Sequence, residues 1–240
     1  PKTGTFRLGD LVGHDTAINV IQGIRKNCPN DEQAAAFEIP NYLNWLLEKG
    51  YLGNKSGQGF YQKTSEKDAN GRTVVLALDL DTQTYRSSER SKLESLKLAK
   101  QQEEVTRKIK TLFNHADQGG QLIRKSLAGL FAYAANRIPE IAPSIYPIDD
   151  ALRAGFAWEY GPFEYWDVVG IEEGIAAAES EGEQIPQWVK TMVEKGFTSF
   201  YKREEGVKKY YDIQQQDYVA VPGAASFIVL DNYREQKPVF

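Results

Sequence analysis

The residues able to do chemistry are few. Across 240 positions there are two histidines, His14 and His115, and one cysteine, Cys28. His14 stands at a helix start and His115 closes a charged helix, so neither is the centre of a Ser/His/Asp or Cys/His arrangement, and no clustered ligand set offers a metal site. Cys28 precedes Pro29 at a helix end and reads as a small structural residue rather than a nucleophile. Gly57-Gln58-Gly59 has no preceding strand, no third glycine at the required spacing and no following helix, so it fails as a dinucleotide loop. It reads instead as a turn that delivers Phe60 and Tyr61 to a core. On this evidence the chain holds no catalytic residue and no metal.

The acidic residues that stand out do so by recurrence. Gly4-Thr5-Phe6-Arg7-Leu8-Gly9-Asp10-Leu11-Val12-Gly13 returns as Gly161-Pro162-Phe163-Glu164-Tyr165-Trp166-Asp167-Val168-Val169-Gly170, 157 positions later. Both copies are followed by a proline-led apolar helix, a Glu-Lys-Gly-aromatic stop (Glu48–Tyr51, Glu194–Phe197) and an aromatic pair, Phe60-Tyr61 or Phe200-Tyr201. Such self-similarity marks a duplicated fold, and its period is too long for a solenoid. The repeated residues Asp10, Gly13, Gly161, Phe163, Asp167 and Gly170 form an architectural motif: the glycines set the angle between two helices, and Asp10 and Asp167 are expected to cap a neighbouring helix.

Bulk properties narrow the class. Hydrophobic residues make up 41% and charged residues 26%, values of an ordinary globular chain. A net charge of −4 gives no reason to expect nucleic acid or an anionic membrane. The longest apolar run, Leu127 to Ala135, falls well short of the roughly 20 residues that span a bilayer. A lone cysteine suits a reducing, cytoplasmic compartment. The start at Pro1, without an initiator Met, reads as a piece of a longer polypeptide.

Helical periodicity dominates the elements that must position these residues. A helix over 4–13 precedes a second one that carries Ala17, Val20, Ile21 and Ile24 on one face, with Asp15 and Thr16 offering N-cap oxygens. Pro40 opens a helix that Gly50 stops. From Arg72 the period changes to 2 and predicts a small β-hairpin through Arg86. One charged helix is expected over 89–115, ended by Gly119-Gly120, and a buried helix rich in small residues over 121–137. Helices starting at Ile148, near Glu172 and at Pro186 follow. A hairpin over 209–221 and a strand over 227–230 close the chain. The predicted class is mainly α, with two tandem helical domains and small β-hairpins: 1–88, 89–202, and a β-containing linker over 203–240 toward a following domain.

Ile148-Asp149-Asp150-Ala151-Leu152-Arg153-Ala154-Gly155 followed by Gly161-Pro162-Phe163-Glu164, Asp167 and Gly170 resembles the C-terminal domain of the L-3-hydroxyacyl-CoA dehydrogenases, a 6-phosphogluconate dehydrogenase C-terminal-like fold. Thr5-Phe6-Arg7-Leu8-Gly9-Asp10-Leu11-Val12-Gly13-His14-Asp15-Thr16 and Lys55-Ser56-Gly57-Gln58-Gly59-Phe60-Tyr61 match it a second time. The tandem resembles the large fatty-acid oxidation proteins of bacteria and archaea. That resemblance implies NAD as the cofactor of the complete enzyme, an upstream NAD-binding domain, an acyl-CoA substrate, and in some relatives a downstream enoyl-CoA hydratase domain. The family's His–Glu pair, serine and asparagine have no counterpart here, since Asn136 falls too late, inside the buried helix. The chain alone is therefore expected to be inactive and to bind no NAD. The resemblance implies that Thr5, Phe6 and Leu8 contact the acyl or pantetheine chain; plain core packing of Phe6 and Leu8 is the other reading. A purely structural assembly module is the competing function, and an uncovered helical face in the first repeat suggests a homodimer.

Overall fold

The structure, a computed structural model, describes residues 3–88 and 91–223. The predicted strand at 227–230 lies outside them. The chain divides into two compact units, the first ending at Ser91 and the second beginning at Lys92.

Unit 1 opens with α1 (Thr5–Val12) and α2 (His14–Asn27), then a short 3-10 turn and α3 (Asn41–Glu48). A second 3-10 turn leads into an antiparallel sheet of β1 (Tyr61–Lys67), β2 (Thr73–Asp79) and β3 (Thr84–Ser87) in sequential order. Tyr61 faces Ala77 and Leu78 faces Tyr85. The core is small: Ile18, Leu43, Leu46 and Phe60 are buried, with Ile21, Tyr42, Trp45, Tyr51 and Leu78 packed around them.

Unit 2 runs α4 (Glu94–Lys100), α5 (Val105–Asn114), α6 (Gln118–Asn136), α7 (Ile145–Phe156), α8 (Pro162–Val169), α9 (Ile171–Ser180) and α10 (Gln187–Glu194). A sheet of β4 (Tyr201–Glu204), β5 (Val207–Asp212) and β6 (Asp217–Ala220) follows, again antiparallel and sequential. The centre is α6. Its Ala128, Phe131, Ala132 and Ala135 are fully buried, and alanines there admit the aromatic side chains of neighbouring helices. The Phe131 and Trp166 rings stack at 4.9 Å, and Trp188 donates its indole N–H to the Ala135 carbonyl at 3.2 Å.

The mainly α architecture with two small sheets is as the periodicity predicts; several boundaries are not. The helix after Gly13 begins at His14, with Gly13 itself at the N-cap (φ +98°), and Asp15 pairs with Lys55 instead of capping. The single charged helix over 89–115 is two helices, α4 and α5, because Glu104 is extended. Gly119-Gly120 does not stop a helix but forms the first turn of α6, which Asp117 caps by accepting the Gly120 N–H. Glycine is required there: a Cβ on Gly120 would lie 1.9 Å from the His115 carbonyl oxygen. Each hairpin gains a third strand. Residues 203–221, expected to begin a linker, complete the sheet of unit 2, and Tyr210 and Tyr211 join its core. Alternation alone could not reveal this, because β5 is Lys-rich and reads as solvent-facing.

Two glycines inside helices make this packing testable. A Cβ on Gly174 of α9 would sit 2.1 Å from Trp166 Nε1, whereas one on Gly23 of α2 meets nothing within 4 Å. Gly23→Ala should therefore stabilise by about 0.5–1 kcal/mol through helix propensity. Gly174→Ala should cost about 1–3 kcal/mol through overpacking. Urea unfolding of the two variants would show these opposite signs.

Candidate functional site

Both units are built on one carboxylate clamp. In unit 1 the Asp10 side chain, buried in α1, accepts the Phe60 N–H on Oδ1 (2.7 Å) and the Tyr61 N–H on Oδ2 (2.9 Å). In unit 2 Asp167 does the same for Phe200 (2.6 Å) and Tyr201 (2.8 Å). The motif aspartates thus hold the start of a strand rather than capping a helix. The strand arrives from a tight loop whose two N–H groups point inward with no sheet partner, and a fork of two oxygens satisfies both. Gly53 and Gly59 exist for this approach: a Cβ on Gly53 would lie 2.4 Å from the Asp10 carbonyl oxygen, and one on Gly59 2.2 Å from Asp10 Oδ1. The Gly57-Gln58-Gly59 turn is the cradle of a carboxylate, not of a phosphate. Gly13 and Gly170 join the two motif helices in nearly the same conformation, φ +98° ψ 134° and φ +113° ψ 135°, which only glycine adopts without strain.

Around the clamp the units differ. In unit 1 His14 is wholly buried one turn after Asp10, its Nε2 3.1 Å from Asp10 Oδ1 and its ring edge-on to Phe60 at 4.7 Å. Burial pulls the His14 imidazole below its ordinary value, against the pull of the adjacent Asp10 carboxylate. In unit 2 Ile171 takes that place. Unit 2 instead buries Asp149 of α7, which accepts the Phe163 N–H (2.9 Å) and the Tyr201 hydroxyl (2.7 Å). Glu164 gathers Arg153, Lys208 and its own Gly161 N–H. Burial is the chief cause that pushes the Asp149 carboxyl up to about 7. Among the described residues no three His, Cys, Asp or Glu side chains converge as for a metal ion, and no helix is long and apolar enough to cross a membrane.

Residues 1–63 match the family described as 3-hydroxyacyl-CoA dehydrogenase, C-terminal domain. The match covers little more than a quarter of the chain. The whole chain is similar to part of a probable 3-hydroxyacyl-CoA dehydrogenase of Bacillus subtilis, with 38% identity over all of this chain and 29% of that protein. It is 24% identical to a putative fatty acid oxidation complex trifunctional enzyme of Rickettsia felis, over 98% of this chain and 30% of that protein. A probable 3-hydroxyacyl-CoA dehydrogenase of Deinococcus radiodurans is 34% identical over 83 residues. The chain spans less than a third of the length of these relatives.

Within the matched residues the three candidates expected on the substrate side lie together on α1. Thr5, Phe6 and Leu8 are all exposed, Phe6 at 45% and Leu8 at 42%, so Phe6 and Leu8 are not core residues. Leu11, Val12 and Val20 extend the same exposed apolar set. Gly161 and Phe163 sit under Asp149 in the interior of unit 2. Asn136 is tied by its side-chain N–H groups to the Ala132 and Gln184 carbonyls, a structural role. The described residues do not fit a dinucleotide: both sheets are antiparallel, and the one glycine-rich turn is filled by Asp10. The sequence reading missed the Asp10–His14 pair, although the i,i+4 spacing signals it, and the Glu164–Arg153–Lys208 cluster, whose members come from three elements.

The sign of the pH response follows from these shifts. Asp149 titrates near 7 in the fold against 3.8 as an ordinary carboxyl, so its contribution is intact at low pH and is lost as pH rises from about 4 to 7. The loss is at most about 1.4 kcal/mol per pH unit within that window. Asparagine mimics the protonated acid, accepting from Phe163 and donating to the Tyr201 oxygen. Asp149→Asn should therefore lie close to the parent in stability at about pH 4 and increasingly exceed it towards pH 8, as denaturant titrations at the two pH values would measure. His14 acts oppositely in unit 1: with its pKa lowered, stability is lost as pH falls below 6.5, which amide hydrogen exchange of the unit 1 residues would measure.

Proposed function

We propose that the chain is the helical, substrate-side and assembly portion of an NAD-dependent 3-hydroxyacyl-CoA dehydrogenase of fatty-acid β-oxidation, working in the cytoplasm. The whole enzyme would oxidise a 3-hydroxyacyl-CoA to a 3-ketoacyl-CoA, with NAD held by an upstream domain and, as in trifunctional relatives, a hydratase domain in the same polypeptide. The chain itself contributes no catalytic group and is inactive alone. The observation that carries this reading is the similarity along all of the chain to a probable 3-hydroxyacyl-CoA dehydrogenase.

Within it, α1 provides a wall for the acyl or pantetheine chain. Leu8 and Leu11 are the outward members of that wall: their counterparts Tyr165 and Val168 stay half-buried even in the fully packed unit 2. Thr5 and Phe6 lie at its base, where Phe6 packs edge-on against Phe60 at 4.8 Å. Apolar side chains on a rigid helix suit an acyl chain, which asks for buried area and little directional bonding.

Calorimetric titration of the 240-residue chain with acetoacetyl-CoA should show saturable binding, and the same titration with NAD should show none. Leu8→Ala should weaken the acyl-CoA about fivefold or more, through about 1 kcal/mol of lost apolar contact. If acetoacetyl-CoA does not bind, the chain is an assembly module only. If NAD binds, the assignment of the nucleotide site to another domain is wrong.

A further inference from the structure

The helix-joining glycines Gly13 and Gly170 share one backbone conformation, yet what lies over them is opposite in charge. In unit 1 the Lys55 side chain crosses Gly13, with Cε 3.0 Å and Nζ 2.9 Å from where a Cβ would stand, and its ammonium pairs with Asp15 in the first turn of α2 at 2.5 Å. Lys55 is delivered by a loop shaped by Ser56, whose hydroxyl accepts the Leu52 N–H and reaches the Gly53 and Gln58 carbonyls. Unit 2 has no such loop. Ten positions separate Gly50 from Phe60 of the clamp, but only four separate Gly196 from Phe200, and the segment that would carry a lysine is absent. The acids are kept: Glu172 and Glu173, in the first turn of α9, hold the places of Asp15 and Thr16. Glu173 lies across Gly170, its Oε2 2.1 Å from where a Cβ would stand. Neither carboxylate meets a cation among the described residues. In place of the loop there is a surface cavity of about 330 Å³, lined among others by Gly170, Glu172, Glu173, Val193, Phe197 and Thr198. Its size is at the low end for small-ligand pockets, roughly 300–1,000 Å³.

We infer that this cavity of unit 2 is a binding site for a primary alkylammonium group. The nitrogen seats between Glu172 and Glu173, and the methylene chain passes over Gly170 against Val193 and Phe197, as the Lys55 chain passes over Gly13. Glu173, held by no partner, turns off Gly170 to admit it. The repeat supplies the precedent: the acid matching Glu172 already holds an ammonium, on a flexible apolar stem, over the matching glycine. A divalent metal ion fits less well, since calcium takes about six to eight oxygen ligands and no three His, Cys, Asp or Glu side chains converge among the described residues. Exposed carboxylates hold an ammonium weakly, and burial of the stem adds to that hold, so the affinity expected is in about the millimolar range. A free aliphatic amine and a lysine side chain of another protein present this same group. The site lies in unit 2, so ammonium binding here and acyl-CoA binding on α1 stand or fall separately.

The test is a titration of the 240-residue chain with n-butylammonium at constant ionic strength, followed by the backbone amide NMR signals. The amides of Gly170 and Thr198 should shift saturably, and n-butanol, which has the same stem without the charge, should not move them. The matched amides of Gly13 and Leu52 should stay in place in the parent, where Lys55 fills the position, and should respond in Lys55→Ala. Glu172 and Glu173 are exposed, so the double variant Glu172→Gln/Glu173→Gln keeps the fold; it should bind about fivefold more weakly or worse. A capped peptide of residues 53–57, which carries Lys55 in its own loop sequence, separates the two sources. Binding at least threefold tighter than n-butylammonium assigns the site to a protein lysine, and equal or weaker binding assigns it to a free amine. The inference is overturned by the lack of a saturable shift at Gly170 and Thr198, by a shift that n-butanol reproduces, or by one that survives the double variant unchanged. An equal response of the parent's Gly13 and Leu52 amides overturns it as well.

Discussion

A helix side chain that accepts two consecutive backbone N–H groups is the contact on which each unit depends. The aromatic pair at the start of β1 and of β4 must enter the core, and the chain leading to it turns too sharply for a sheet partner to reach both amides. One carboxylate with two oxygens meets that demand, and nothing smaller or neutral does so with both bonds intact. The aspartate then dictates the rest. Glycines must surround it in unit 1 because their missing side chains are where its oxygens and backbone lie. The helix-joining glycine holds a positive φ, which a residue with a side chain adopts only at a cost.

With the clamp held constant, the two units have diverged by compensated exchanges. The cation over the clamp tyrosine comes from the helix in unit 1, where Arg7 covers Tyr61, and from the sheet in unit 2, where Lys208 covers Tyr201 at 4.2 Å. The sheet position matching Lys208 is Val75 by strand register, and the helix position matching Arg7 is Glu164. Charge has moved from strand to helix, and the acid that balanced it has gone. Bulk has moved in the same manner. Trp166 fills the interior of unit 2; Gly9 replaces it in unit 1, where Phe60 closes to 3.2 Å from where a Cβ would stand and His14 lies next to it. The buried imidazole is thus a filler of space opened by losing an indole, kept neutral by its burial.

Much of this was legible in the residues. The duplication, the helical periodicity and the role of the motif as architecture follow from the order Gly-x-Phe, Asp, Gly and the aromatic pair that recurs after each. What could not be read is where the aspartates point. A capping oxygen and a strand-clamping oxygen look alike in sequence, and the partner N–H groups lie 50 and 33 positions away for Phe60 and Phe200. Glycine pairs mislead for a related reason. Gly119-Gly120 has the composition of a stop, yet closeness of the His115 carbonyl, not freedom of φ, is why it is glycine. The break between α4 and α5 and the third strand of each sheet fall where local propensity is flat and tertiary packing decides.

The clamp also separates what a unit needs to fold from what it needs to present. Unit 2 gathers a broad core about α6, and its copy of the motif is consumed inside it. Among its described apolar residues unit 1 buries Ile18, Leu43, Leu46 and Phe60 in the main cluster, while Phe6, Leu8, Leu11, Val12 and Val20 face outward. Leaving five large apolar side chains uncovered forgoes about 1.5–3 kcal/mol for each that could be buried. That is more than an isolated unit gains from keeping α1 apolar, so local stability does not explain the composition of the face. A clamp strong enough to hold α1 to the sheet without help from above lets the face stay open, and an open apolar face is useful only to something that binds it.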